Sequence, residues 1–289
     1  MKIAYIILVH KNPKQVARLI NRLNTQNTIF SLHLDASVPL EDFKNIVLSG
    51  NPGCDNIHFK EKRYRTRWGG FNAVRATAEL IESVLPYKPD HVFFLSGQDY
   101  PLKTNQDIRT LLKEEYKDSI LIENRRFNAD PNKPNRLNRF YFCDYFDWEK
   151  KKLIPRLLTK VLPSRKFLDG MQPYIGRVQF ILPLKAAEYV TAEYRNNKKL
   201  NNFFKYVLCA DELYFQTILL NSEFAPKVLN TRIHYANYDV PHPVVWQAKD
   251  IEHLKKQPNL FARKFDINVD EKVLDLLDEY LQYSKPVDI

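Results

Sequence analysis

Two carboxylates stand side by side in LCADELYFQTILLN, Leu208 to Asn221, at the front of an apolar segment. If a helix begins there, neighbouring residues point about 100° apart, at ~3.6 residues per turn. They cannot then both face one substrate hydroxyl. The division that follows has Asp211 capping the helix, its oxygen accepting a first-turn amide, while Glu212 projects outward. A projecting carboxylate can take a proton from an attacking hydroxyl as a general base. A capping acid followed by a surface glutamate is the plainer alternative, common in any helix.

Cations form the second candidate set. FARKFD carries Arg263 and Lys264, and TRIHY carries Arg232. Fixed cations of this kind can meet a bound or departing diphosphate. Arg263 adjoins Lys264 and is expected to face elsewhere, so Arg232 is the better second cation. Metal chemistry is not expected. The stretch after HVFFLS reads SGQDYP, with Asp99 alone and Gly97 two positions earlier, and so lacks the DxD pair that holds Mn²⁺ or Mg²⁺ against a diphosphate. DYFD and DWE lie in irregular sequence and follow no strand. Cys54, Cys143 and Cys209 show no ligand spacing, and an odd, sparse set argues for a reducing compartment.

The elements that must hold these residues alternate. IAYIILVH is a continuous apolar run, as in a fully buried strand. A helix follows with Asn12 as N-cap and Pro13 at its first position, and Val16, Leu19, Ile20 and Leu23 on one face. IFSLHLD is a second strand, and a helix near Leu40 to Val47 and a short strand at NIHF come next. A helix with Phe71, Val74, Ala78, Ile81 and Leu85 on one stripe precedes the strand HVFFLS. This alternation predicts an α/β domain with a mainly parallel sheet. In such sheets ligands bind beyond the strands' carboxyl ends, where His10, Asp35 and residues 96–99 fall. From Asn124 to about Gly176 the pattern degrades into Arg, Asn, Pro and aromatics, read as a long functional loop. VQFILPL then resumes as a strand and DELYFQTILLN as a helix. A C-terminal helix from about Glu271 to Tyr283 has Asp270 as its N-cap candidate.

The chain has 289 residues, 44% of them hydrophobic, and a formal charge of +10 from 44 Lys and Arg against 34 Asp and Glu. That is enough for one large domain and excludes a disordered chain. The positive excess suits an anionic ligand, a membrane surface or a nucleic acid. No RRM, KH or helix-turn-helix signature supports the nucleic-acid reading. The N-terminal MKIAYIILVHKNP has one lysine ahead of a seven-residue apolar run that is broken by His10 and Lys11, too short for a signal peptide or a spanning helix. A cytoplasmic protein is the expectation, its basic surface available to an anionic inner-membrane surface.

Taken together, AYIILVHKNPKQVARLINRL, HLDAS, RTRWGGFNAVRATAELI, FFLSGQDYPLKT, ADELYFQTILLNS and LFARKFD resemble the core-2/I-branching β-1,6-N-acetylglucosaminyltransferase family, which also contains peptide O-xylosyltransferases. They run in order from Ala4 to Asp266, nearly the whole chain. The resemblance implies a single GT-A-like domain over 1–289, with a nucleotide-binding half at 1–123 and an acceptor-binding and catalytic half at 124–289. It implies inverting, metal-independent transfer of a sugar, GlcNAc first and xylose as the alternative, from a UDP-sugar to a hydroxyl of a glycan or lipid-linked oligosaccharide. The family's catalytic base matches Glu212 and its phosphate-contacting lysine matches Lys264. The counterpart of Asp35 accepts bonds from uracil or ribose. His10 and Trp68, in a WGG turn, are further donor-side candidates. On the acceptor side, Arg139, Tyr141 and Trp148 are of the kind that grip a sugar by stacking and bidentate bonding, and Arg139, Trp148 and Asp99 are the acceptor-side candidates. The chain departs from the family at GRVQF, Gly176 to Phe180. Many members have Gly-Ser-x-Trp or Gly-Ser-x-Tyr before the Phe, and the xylosyltransferase branch has Asp-Trp at Val178-Gln179. A non-catalytic glycan-binding relative is the reading from another class, and the retained Glu212 and Lys264 speak against it.

Overall fold

The computed structural model describes residues 1–130, 133, 135–146, 153–237 and 243–283. The IAYIILV run forms β1 (Ile3–Val9), buried on both faces. It pairs in parallel with β2 (Thr28–Leu34) on one side and β4 (His91–Ser96) on the other, Ile3 opposite both Thr28 and His91. Alternate side chains of β1 enter two different cores. Ile3, Tyr5, Ile7 and Val9 pack with α1 (Pro13–Leu23) and α2 (Leu40–Ser49). Ala4 and Ile6 pack with α3 (Asn72–Val84), α6 (Leu184–Asn196) and α8 (Tyr214–Leu220) on the opposite face. A strand with two covered faces needs no polar alternation, which is why its sequence is continuously apolar.

The main sheet has seven strands in the order β10-β6-β9-β4-β1-β2-β3, completed by β3 (Ile57–Phe59), β6 (Ile120–Ile122), β9 (Phe180–Pro183) and β10 (Val228–Leu229). Every pair is parallel except those of β9, which runs antiparallel between β4 and β6. The expected α/β architecture with a mainly parallel sheet is therefore present. The carboxyl ends of β1, β2, β4 and β6 share one edge with the start of β9. A second sheet lies at that edge, in the order β11-β12-β5, from β5 (Asp99–Pro101), β11 (His234–Tyr235) and β12 (Phe261–Arg263). Its register sets Arg263 opposite Asp99.

Three expectations need correction. Asn12 does not cap α1 through its side chain. It sits at φ 55° in the left-handed region and uses its amide to donate to Asp266 Oδ1 at 2.8 Å. The 124–176 stretch is not uniformly irregular. It holds α5 (Leu153–Val161) and an antiparallel ribbon of β7 (Arg125–Arg126) with β8 (Tyr174–Ile175). The turn at Asp211 also differs, as described below. The other helices, α4 (Asn105–Glu114), α7 (Lys198–Phe204), α9 (Ile251–Lys255) and α10 (Lys272–Tyr283), pack around this frame. Asp270 accepts the Val273 amide ahead of α10 at 3.4 Å, and the Ala248 amide at 2.8 Å. Among the described residues no helix is long and apolar enough to cross a membrane.

Candidate active site

Asp35 follows β2 directly and is 6% exposed. Its Oδ1 accepts the amide and hydroxyl of Ser37, at 2.8 and 2.5 Å. Its Oδ2 accepts the amide and hydroxyl of Thr66, both at 2.6 Å. Burial acts to raise its pKa, but the Ser37 and Thr66 bonds outweigh burial and hold the carboxyl down at about 2. Asp35 thereby staples the 63–70 loop to the strand end, and a nucleotide would have to share oxygens already doubly engaged.

Beside it lies an electropositive corner. Lys11 pairs with Asp266 at 2.5 Å. Lys264, just past β12, has no hydrogen bond or ion pair at its ammonium among the described residues. Desolvation, then the charges of Lys11 and Arg263, lower its pKa. His10, exposed beyond β1, is likewise lowered by desolvation and then by Lys11 and Lys264. Cations that lower the pKa of their neighbours His10 and Lys264 in this way form a place where an anion is favourable.

Further along the same edge is a cleft of about 230 Å³, lined among others by Glu123, Arg177, Gln179, Arg232, His234 and Arg263. Arg232 is held in a fork by Glu123, Nε to Oε2 at 2.7 Å and Nη2 to Oε1 at 3.3 Å. Asp99, predicted to touch an acceptor, is 0% exposed and cannot do so here. It accepts the amide and hydroxyl of Ser96 at 2.7 and 3.1 Å, and lies 3.1 Å from His234 Nε2 and 3.6 Å from Arg263 Nε. Burial acts to raise its pKa and the Arg263 and His234 charges bring it below the ordinary value. It works as the buried counter-charge that positions Arg263. Arg263 does not face away from the site, as expected for a neighbour of Lys264. It lines the cleft, and its charge acts on both Lys264 and His10. Gln179 Nε2, both ring nitrogens of His234 and Arg263 Nε are buried with no hydrogen-bond partner among the described residues, although His234 Nε2 and Arg263 Nε lie within ion-pair distance of Asp99.

Glu212 is tied to this cleft through its backbone. Residues Ala210–Glu212 form a 3-10 turn entered through Cys209 in the left-handed region at φ 53°, and α8 starts only at Tyr214 with no side-chain cap. Asp211 therefore does not cap a helix, because the turn satisfies its amides by its own i to i+3 bonds. Instead it is half-buried, and desolvation followed by the adjacent Glu212 charge pushes its pKa up to about 7. Two backbone bonds fix the turn: Gly176 N–H to the Glu212 carbonyl at 2.9 Å, and Cys209 N–H to the Gly69 carbonyl at 3.0 Å. The first ties Glu212 to the residue before Arg177, on the cleft wall. The second brings the WGG turn alongside, with Trp68 54% exposed. The Glu212 carboxylate pairs with Arg136. Arg139 instead donates to the Leu162 carbonyl at 3.5 Å, a bond within its own loop. Trp148 lies outside the described residues.

Comparison with known proteins bears on this arrangement. The family model described as Core-2/I-Branching enzyme matches residues 3–259. The chain belongs to that family. Its mainly parallel α/β sheet is the architecture expected from the sequence. Similar curated proteins of the Core-2/I-Branching type include human xylosyltransferase 2, 27% identical over 99% of this chain and 34% of that protein. Rat xylosyltransferase 1 is 25% identical over 99% of this chain and 36% of that protein. The chain thus spans about a third of the length of the curated relatives it matches. Among solved structures, S. aureus TarS 1-349 in complex with UDP-GlcNAc aligns at 13% identity and a TM-score of 0.39, over 80% of this chain and 57% of that one.

Sequence reasoning on this family member missed Arg136 and Glu123, the partners of Glu212 and Arg232. Each lies more than seventy residues from its partner, at a separation of 76 and 109. No local pattern could have found them. Gln179 and Arg177 were visible as a departure from the family pattern, and the cleft gives that departure a place.

Proposed function

We propose that the chain is an inverting, metal-independent glycosyltransferase that moves a sugar from a UDP-sugar to a hydroxyl. The observation that carries this reading is a bonded link between the two candidate sets. The Glu212 carbonyl accepts the Gly176 amide, and the next residue, Arg177, lines the same cleft as Arg232 and Arg263, with Lys264 following Arg263 in the chain. Glu212 takes the acceptor hydroxyl's proton as its oxygen bonds to the sugar's anomeric carbon. The bond from that carbon to the diphosphate breaks, and the negative charge leaving with UDP meets Lys264, Arg263 and Arg232. Arg136 must yield the Glu212 carboxylate when an acceptor arrives. Asp99, the one acid after β4, has Ser96, His234 and Arg263 around its oxygens, which supports cations rather than a metal as the charge partner.

GlcNAc is the first donor reading, from the branching-enzyme resemblance. Xylose is the second, and it gains from the relatives, whose names are those of xylosyltransferases. Gln179 and Arg177, at which the chain departs from the family pattern, both line the cleft and so bear on either donor. A thermal-shift panel of UDP, UDP-GlcNAc and UDP-xylose, each with EDTA and with Mn²⁺, selects between them. Stabilisation by one UDP-sugar in EDTA is expected. A shift only with Mn²⁺ defeats the metal-independent reading. With the selected donor, Glu212→Gln should keep the shift and lose transfer by about a hundredfold or more. Normal turnover of that variant excludes Glu212 as the base.

A further inference from the structure

Helix α5 turns an apolar stripe to solvent. Leu153, Leu157 and Val161, at i, i+4 and i+8, are 87%, 62% and 74% exposed, and Ile154 beside them is 60% exposed. The other side of the helix, at Leu158 and Thr159, is half-buried against the protein, and Thr159 donates its hydroxyl to the Phe140 carbonyl at 2.8 Å. A helix that is apolar on both sides belongs in contact with two apolar media, and the protein supplies one of them among the described residues. The charge flanking the stripe in sequence says what the other is. From 150 to 166 the sequence has seven Lys and Arg and no Asp or Glu. Two aromatic side chains reach solvent on adjoining loops, Tyr145 at 53% and Trp68 at 54%. Their loops are joined by the Arg67 guanidinium on the Asp144 carbonyl.

We propose that α5 is an interfacial helix that lays this face of the molecule on an anionic lipid surface. Aliphatic side chains enter the acyl boundary, flanking cations meet acidic headgroups, and Trp and Tyr sit at headgroup depth. A second copy of the chain is a poorer occupant, because pairing two such segments would set like charges against one another. The end of α5 is bonded to the segment that follows Arg136, the partner of Glu212: Arg165 donates its amide to the Asn138 carbonyl at 2.9 Å, and Arg139 donates to the Leu162 carbonyl. An acceptor carried on a lipid follows, and that step alone rests on the proposed transfer reaction.

Co-sedimentation with vesicles tests the helix without donor or acceptor. The chain should bind phosphatidylcholine vesicles containing about one third phosphatidylglycerol. Binding to phosphatidylcholine alone, or in about 0.5 M salt, should be at least about tenfold weaker. The triple variant Leu153→Ser, Leu157→Ser, Val161→Ser replaces exposed side chains only, so its melting temperature should be unchanged while anionic-vesicle binding falls about tenfold or more. Full binding by that variant overturns the proposal, as does a parent chain that ignores anionic vesicles. A concentration-dependent dimer that the variant abolishes, with no vesicle binding, also overturns it and assigns the stripe to self-association. Because binding is read without turnover, either result leaves the transfer reaction to be judged by the donor panel and Glu212→Gln.

Discussion

Asp35 and Asp211 are pushed in opposite directions by their surroundings, and each direction sets a measurable stability. The Asp35 carboxyl falls from 3.8 to about 2 because four donors outweigh its burial. Its ionised form therefore stabilises the fold at pH values above 3.8, by about 2 kcal/mol, and that contribution is lost as pH falls through about 2. Asp35→Asn should cost about 2 kcal/mol in urea denaturation at pH 7, with the gap to the parent closing as the pH approaches 2. Asp211 behaves inversely. Its folded value of about 7 lies above the unfolded 3.8. Between those pH values the folded chain holds a proton that the unfolded chain has released, so this group lowers stability as pH rises from about 4 to 7. The side chain is only half-buried, so solvent reduces the effect to about 1 kcal/mol. Asp211→Asn should gain about that much at pH 8 and nothing at pH 4. A loss at pH 8 would mean that Asp211 is ionised and paired in the folded state.

At the scale of elements, two glycine contacts decide where Glu212 stands. A Cβ on Gly176 would overlap the Glu123 carbonyl, a backbone atom that cannot swing aside. The same residue donates its amide to the Glu212 carbonyl. Gly176→Ala should therefore destabilise by about 2 kcal/mol or more and reduce kcat more than donor affinity, because the base moves while the cations stay. Gly170→Ala is the control. Its φ of 78° is strained for alanine, but nothing lies within 4 Å, so it should cost only about 1 kcal/mol and leave kcat unchanged. The elements that were legible in the sequence were those with strong local periodicity: β1, β2, β4, α1 and α3. The Glu212 turn was not legible, because a 3-10 turn and a helix start place acids and apolar residues alike. The local sequence also could not show that Asn12 abandons its cap for Asp266. That bond depends on a residue 254 positions away. The face of α5 was hidden for another reason: its apolar residues are where a core helix would have them, yet they point outward.

At the scale of the molecule, the positive charge is concentrated as well as abundant. His10, Lys11, Arg263 and Lys264 come from two chain regions about 250 residues apart, and β12 brings the second pair to the end of β1. His10 and FARKFD were each visible as candidates in the sequence, but their meeting was not, since proximity depends on the β5–β12 pairing that sets Arg263 opposite Asp99. The corner makes donor binding depend on pH in a definite sense. His10 titrates below its ordinary 6.5 because desolvation, Lys11 and Lys264 disfavour its cation, while Asp35 pulls weakly the other way and Arg263 adds to the lowering. A diphosphate seated among these groups offsets the lysine charges and raises the His10 pKa. Binding then takes up a proton, and affinity must rise as pH falls. The diphosphate diester of a UDP-sugar does not titrate in this range, so the proton has to come to the protein. Calorimetric titration with the donor selected by thermal shift should show affinity tightening about three- to tenfold from pH 7.5 to 5.5. His10→Ala should flatten that dependence. Lys264→Ala should weaken binding about tenfold across the range. Proton uptake should appear as a binding enthalpy that changes with the buffer's ionisation enthalpy. An affinity that is flat in the parent, or that falls with acid, would place the diphosphate away from the ends of β1 and β2 and leave the Arg232 side of the cleft as its only seat.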